Sequence, residues 1–426
     1  MSLTRHRRWV TTAAVAATAA LALSACSTGA SGDADSDGKT VVSISSWYQD
    51  KEFKPALDAA NKVLAKDGIE LEYSYIALDQ YNNWLSVQLA SGSGPDLFMD
   101  GASFPARVKA GNAVDVTDRE SIADFNDAGL ALAKDQDGKV FGIPTYGWFS
   151  GYFYNADLFA ENDVEPPQTF DELLEVSKTF QDAGIKPLAF GLSGSDKGLH
   201  SLMGYLENAY YHNGEGSPEV DTEFAFDKAT LSGNWNDSVD EWSKLIDQGV
   251  ITPDMLGIAE PQAQDEFLAG KAAMIISGPW DYTKFTEAGL NIGMFAHPGN
   301  SADDQYMIGG PAANIGVNKG TSKMDAAMKA FDAFASEEVQ QAFLDGNPGA
   351  FSYSGATAPM PEEYALVEDT LAKGNVGNAW DRWGANMPAQ SMVDEVTKQL
   401  EGLIGGQLTT DQFVKALDSF ADTIRY

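Results

Sequence analysis

Few residue combinations in this chain could carry out a reaction. The four histidines are His6, His200, His212 and His297, and Cys26 is the single cysteine. No two of these have the close helical spacing of a zinc site, so no metal is expected. Gly191-Leu192-Ser193-Gly194-Ser195 carries a serine where a hydrolase nucleophile elbow requires its last glycine. No Walker A pattern occurs, and no cofactor is expected. Asp33 to Gly38 has the start of a calcium loop but no glutamate at the twelfth position, and reads as linker. Carboxylates are numerous enough for a glycosidase pair. Such a pair must face one bond, which a sequence does not show.

Aromatic residues at strand ends are more informative. In Phe267-Leu268-Ala269-Gly270-Lys271-Ala272-Ala273-Met274-Ile275-Ile276-Ser277-Gly278-Pro279-Trp280-Asp281-Tyr282, the run Ala272 to Ile276 has the size and composition of a buried strand. Ser-Gly-Pro stops it, and Trp280 follows at once. Ligands of open α/β sheets bind just outside the carboxyl ends of strands. Trp280 is either a ligand platform there or a packing residue.

The elements needed to position such residues follow in order. Val41 to Ser45 predicts a strand with Trp47-Tyr48-Gln49 after it, then a helix from about Phe53 to Lys66. Ile69 to Tyr75 alternates apolar and polar as a half-buried strand does. A helix over Tyr81 to Ser91 leads to a short strand, Asp96 to Met99, with Asp100-Gly101 after it. This β-α-β-α-β opening predicts a three-layer α/β domain. Asp137-Gly138 predicts a hairpin turn, and Thr145 to Tyr154 is an aromatic, apolar run. Thr169 and Glu172 form a capping box. Lys186 to Phe190 and Asn314 to Val317 predict further strands, and helices dominate the final third. Trp84 and Trp242 fall in helical patterns as core residues, while Trp235 suits core or rim.

The first residues carry an address. Arg5, Arg7 and Arg8 precede an apolar stretch from Trp9 to Ala22 that is short for a membrane span. Leu23-Ser24-Ala25-Cys26 resembles a bacterial lipobox, so 1–25 reads as a signal peptide and Cys26 as the lipidated N-terminus. A plain secretory signal and twin-arginine export are the alternatives. Residues 26–38 read as a flexible tether after the lipid. The full chain has a formal charge of −34, and removing the three arginines of the signal makes it −37. Such a surface repels phosphate backbones and anionic headgroups, which argues against nucleic acid and against a basic membrane patch.

Taken together, the segment from Phe267 to Trp280 closely resembles the signature of family 1 extracellular solute-binding proteins, the maltose-binding-protein-like receptors of ABC importers. Gly94-Pro95-Asp96-Leu97-Phe98, Gly142-Ile143-Pro144, Tyr154 to Phe159 and Pro167 to Leu173 fall in that family's order. The resemblance spans essentially the whole chain. It implies a two-lobed periplasmic-binding-protein-like fold, two three-layer α/β lobes joined by a hinge. The implied path is 39–144 and 289–345 in the first lobe, with 145–288 and 346–426 in the second. Pro144-Thr145 and the segments near Leu290 and Pro348 are the implied hinges. The implied partners are a carbohydrate ligand and the permease subunits of an ABC importer. The implied setting is a monomer on the extracytoplasmic face, held by its lipid anchor alone.

The resemblance also implies a ligand-facing set: Trp47, Tyr48, Asp100, Tyr146, Trp148, His200, Trp280, Asp281, Gly309, Gly310, Trp380, Asp381 and Trp383. The chemistry suits sugars. Aromatic rings cover the C–H faces of a pyranose, and Asp, Asn, Gln or His hold its hydroxyls. Arg382 is the single arginine near the implied cleft, whereas a free carboxylate calls for a bidentate arginine or a helix N-terminus. Iron-binding relatives need tyrosine clusters, and Tyr210-Tyr211 lies in a helical pattern instead. A polyamine receptor and a glycoside-active enzyme are the competing readings.

Overall fold

The computed structural model describes residues 38–384 and 386–426. The expected signal segment 1–25, the lipidation site Cys26 and the tether as far as Asp37 lie outside the described residues. Eleven strands form among the described residues: β1 (Thr40–Ser46), β2 (Ile69–Tyr75), β3 (Leu97–Asp100), β4 (Gly142–Pro144), β5 (Gly147–Asn155), β6 (Lys186–Ala189), β7 (Ala272–Ser277), β8 (Ile292–Phe295), β9 (Met307–Pro311), β10 (Asn314–Val317) and β11 (Val376–Gly377).

They make two sheets. The first has the order β2-β1-β3-β10-β4, with β1 parallel to β2 and β3 and β10 antiparallel to β3 and β4. Its edge strand β2 alternates buried and exposed at its start, while the central β3 is buried throughout, which is why the first reads as a period of two and the second as an apolar run. Val42, Ile44, Leu97, Met99, Ile143 and Ile315 join Phe53, Phe331 and Phe334 of flanking helices in one core.

The second sheet has the order β11-β9-β5-β7-β6, with β8 also paired to β5. Successive residues of a strand point to opposite faces. Accordingly Tyr152, Met274 and Ile276 enter one core, and Phe149, Phe153 and Ile275 enter another. Thr169 caps the helix Phe170–Asp182 through the expected box with Glu172. Trp235 and Trp242 are fully buried.

The path between the sheets departs from the expected boundaries. β8 and β9 pair with β5 in the second sheet, so the chain returns to the first sheet at Asn314 rather than near residue 289. Leu290 packs on a second-sheet core and is no crossing point. Ala350, Tyr353 and Ala356 pack on the first-sheet core, although 346 onward was expected in the second lobe. The reason is that β8 and β9 share one edge of the long β5, which extends the second sheet before the chain leaves it.

Three segments join the sheets side by side. The Thr145 amide donates to the Ala313 carbonyl at 2.9 Å, and the Ala312 amide donates to the Tyr146 carbonyl at 2.9 Å. Gly147 and Phe351 exchange both of their backbone hydrogen bonds. At Gly147 a Cβ would lie 2.2 Å from the Phe351 ring, so only glycine lets the third segment approach this closely.

Candidate functional site

Four aromatic side chains from four separate segments converge where the sheets meet. Trp148 is the second residue of β5, directly after the crossing. His200 lies on the helix Lys197–Leu206, Trp280 on the helix Pro279–Glu287, and Trp380 on the helix Ala379–Trp383. Trp148 is near parallel to Trp380 with centroids 5.8 Å apart, and to His200 at 5.4 Å. Trp280 is tilted to Trp148 at 6.1 Å and edge-on to His200 at 6.2 Å. Trp148 is half-buried and packs on the cores of both sheets. Trp280 is the most open of the four, 37% exposed.

Local sequence explains the Trp280 placement. Strand β7 ends at Ser277, Gly278 is extended, and Pro279 takes the first helical position, where its missing N–H costs nothing. The indole therefore leaves a helix start at the end of a buried strand.

Polar groups hold the cluster from behind. His200 Nδ1 is 3.1 Å from Ser150 Oγ, and its Nε2 is 3.5 Å from Asp196. The Lys197 ammonium lies 4.7 Å from the Trp280 ring centroid, 3.4 Å from Glu260 and 3.9 Å from Asp196. Lys197 is buried. Burial pulls its pKa down, but Asp196, Glu260 and Asp281 together raise it above the ordinary lysine value. Asn378 caps the helix of Trp380 by accepting from the Asp381 amide, and its Nδ2 donates to Asp381 Oδ2 at 2.8 Å and to the Gly309 carbonyl at 2.7 Å. Loss of water contact pushes the Asp381 carboxyl up to about 7, with Asn378 and Arg382 opposing and Glu207 adding to the rise.

The remaining expected residues occupy other settings. Trp47 is half-buried at the end of β1, edge-on to Tyr81 at 5.2 Å. Tyr48 and Tyr146 are buried in the first-sheet core, stacked at 5.6 Å, with the Tyr48 hydroxyl 3.2 Å from Thr145 Oγ1. Asp100 is buried in an ion pair with Arg107 Nε at 2.8 Å, and burial raises its pKa against the pull of that arginine. Asp281 accepts from Gln264 Nε2 at 2.9 Å and from the Ser277 hydroxyl, so one of its oxygens serves its own lobe. Gly309 and Gly310 are buried. A Cβ would meet the Trp148 carbonyl oxygen at the first and the Asp381 carboxylate at the second, so both glycines serve internal packing. Trp383 does not face the cluster. It is fully buried, donates to Asp221 Oδ1 at 3.2 Å and packs on Trp235, because the buried acid takes its indole N–H inward. Arg382 is spent on Asp221 at 2.8 Å and Glu207 at 2.6 Å, and lies over the Tyr211 ring.

Sequence reasoning missed Ser150, Asp196, Lys197 and Asn378. The i, i+4 spacing of Asp196 and His200 was the available signal for the first helix, since residues so spaced meet on one face. Among the described residues, no group of three or more His, Cys, Asp or Glu could hold a metal ion.

The sequence profile of the bacterial extracellular solute-binding proteins matches residues 56–372. The chain belongs to this family. Its solute-binding relatives include a maltooligosaccharide ABC transporter solute-binding lipoprotein of Streptococcus pneumoniae, 23% identical over 359 residues and covering 79% of each chain. The maltodextrin-binding protein of Bacillus subtilis is 24% identical over 339 residues, 76% of each chain. Among solved structures, a family 1 extracellular solute-binding protein from Bifidobacterium longum subsp. infantis superposes with a TM-score of 0.73 at 25% identity, covering 90% of this chain and 99% of that one. The solute-binding protein described here therefore has the two-lobed fold of the periplasmic binding proteins.

Proposed function

We propose that this solute-binding protein captures a neutral carbohydrate, an oligosaccharide, at the Trp148–His200–Trp280–Trp380 cluster and delivers it to the permease of an ABC importer. The observation that carries the reading is the convergence of four aromatic rings centred on Trp148, which packs on the cores of both sheets, while the neighbouring Arg382 is saturated by Asp221 and Glu207. A carboxylate ligand would lack its bidentate partner there, whereas a pyranose needs ring faces and scattered polar groups. Relatives that bind maltooligosaccharide and maltodextrin support the same class. The three crossing segments act as the hinge, and closure buries the sugar from both lobes. The protein works as a monomer, anchored through Cys26 on the extracytoplasmic face, and releases its sugar unchanged.

The test is a melting-temperature screen of the soluble mature chain against malto-, xylo-, galacto- and raffinose-type oligosaccharides. Calorimetric titration of each hit and chromatography of the recovered sugar follow. A hit at 100 times its Kd adds about 2.7 kcal/mol of stability. Recovery of intact sugar is expected. No stabilising sugar across the panel, or turnover by homogeneous protein, overturns the reading.

A further inference from the structure

We propose that Lys197 is a specificity-determining residue of this site, a tethered internal cation that occupies a face of Trp280 and bars positively charged ligands from it. The inference rests on the reading above that Trp280 faces the ligand.

The position is an expensive one for a lysine. Lys197 is the first residue of its helix, where the positive end of the helix dipole disfavours a cation. It is also 6% exposed, and a buried ammonium loses its hydration. A methionine or leucine would pack the place of the stem without either cost, leaving only the ammonium's place over the ring empty. The ammonium instead sits 4.7 Å from the Trp280 centroid, between Glu260 and Asp196. Remove it, and an indole face remains beside two carboxylates, with Asp281 close by. That combination recognises amines, because the ring quadrupole and the acids both attract a cation. Lys197 therefore turns a potential amine box into a platform from which amines are excluded. The same contact holds the indole in place before a sugar arrives, which reduces the ordering cost of binding. The acidity of the chain makes such exclusion necessary, since a surface this negative concentrates polyamines.

The test compares wild type with Lys197→Ala and Lys197→Met, each labelled with 5-fluorotryptophan. The Trp280 resonance is assigned from Trp280→Phe. Titrations use spermidine at about 150 mM salt, where diffuse attraction to the acidic surface is screened. n-Propylammonium, the excised end of the side chain, is compared with 1-propanol of the same shape. Wild type is expected to show no Trp280 response to either amine. Lys197→Ala is expected to bind spermidine at least about tenfold more tightly than wild type, with the Trp280 resonance displaced. n-Propylammonium, and not 1-propanol, should return that resonance toward its wild-type position. Lys197→Met keeps the packed stem without the charge and should also gain spermidine affinity. It decides the matter if the alanine variant fails to fold. Equal restoration by 1-propanol, unchanged spermidine affinity in the folded variants, or tight spermidine binding by wild type at Trp280 overturns the proposal. Neither alkylamine readout involves a sugar. A selectivity switch without any sugar binding would therefore overturn the carbohydrate reading alone, and sugar binding without the switch would overturn this one alone.

Discussion

His297 makes acid stability a direct test of the packing behind the site. It follows β8, is 1% exposed, and neither of its ring nitrogens has a hydrogen-bond partner. The ring stands edge-on to Tyr152 at 5.0 Å and presses on Gly204, one turn along the helix from His200. Burial, reinforced by His200, lowers its pKa from 6.5 to about 3. The unfolded imidazole titrates near 6.5. Between those values the unfolded chain binds a proton that the folded chain does not, so acid favours unfolding. The contribution is fully present above pH 7, declines as pH falls through 6.5, and is exhausted near pH 3. At pH 4.5 the unfolded side chain is two units below its pKa, and about 1.36 kcal/mol per unit gives a loss of about 2.7 kcal/mol. His297→Phe removes the titration without sacrificing a ring hydrogen bond, and the backbone carbonyl can still accept from Asn208. His297→Leu is a second variant should the larger ring crowd Gly204. Urea denaturation at pH 7 and pH 4.5 gives the four free energies. The variant should lose about 2.7 kcal/mol less than wild type over that interval. Equal losses would show that the imidazole reaches water or a proton acceptor, and the burial argument would be wrong.

Trp280→Ala should weaken binding of the best oligosaccharide by roughly 10- to 100-fold, about 1.4–2.8 kcal/mol, in calorimetric titration. Its ligand-free melting temperature should fall less than that of Trp242→Ala, which empties a fully buried site. Normal binding together with a large stability loss would make Trp280 a core residue. Arg382→Met takes the arginine from two buried acids, leaving Glu207 with His212 alone and Asp221 with the Tyr211 hydroxyl and Trp383 indole, and should cost about 3–5 kcal/mol in chemical denaturation, with part returned by adding Glu207→Gln. Mass spectrometry of membrane-extracted protein should find Cys26 acylated at the mature N-terminus. A soluble mature chain that begins elsewhere would remove the lipid anchor.

Strand periodicity and stop signals made much of the fold legible in the sequence. The alternation of Ile69 to Tyr75 and the apolar run before Ser277-Gly278-Pro279 are local properties, and both became strands. Which sheet a strand joins is a different matter. Nothing in Ile292–Phe295 or Met307–Pro311 records that β5 is long enough to pair with both. That long-range fact moved the lobe boundary. The site shows the same division. Trp280 stands just past the carboxyl end of β7, where position alone suggests a ligand-facing role, whereas Trp148 lies near the amino end of β5 and only the family resemblance points to it. Trp380 and Trp383 are the same residue type three positions apart on one short helix, and only the buried Asp221 separates their fates. Lys197 escaped notice because its partners Glu260 and Trp280 lie more than sixty residues away in the chain.

Gly147 pairs with Phe351 in the crossing, and Trp148 is its neighbour. If the crossing is the fulcrum, Trp148 sits at almost zero lever arm, whereas groups on the far edges of the sheets swing through the full arc. A residue so placed keeps its position whatever the angle between lobes. On the proposed function, an arriving sugar would then meet one stationary ring in both an open and a closed geometry. Closure would then add contacts around a foothold that never has to be released.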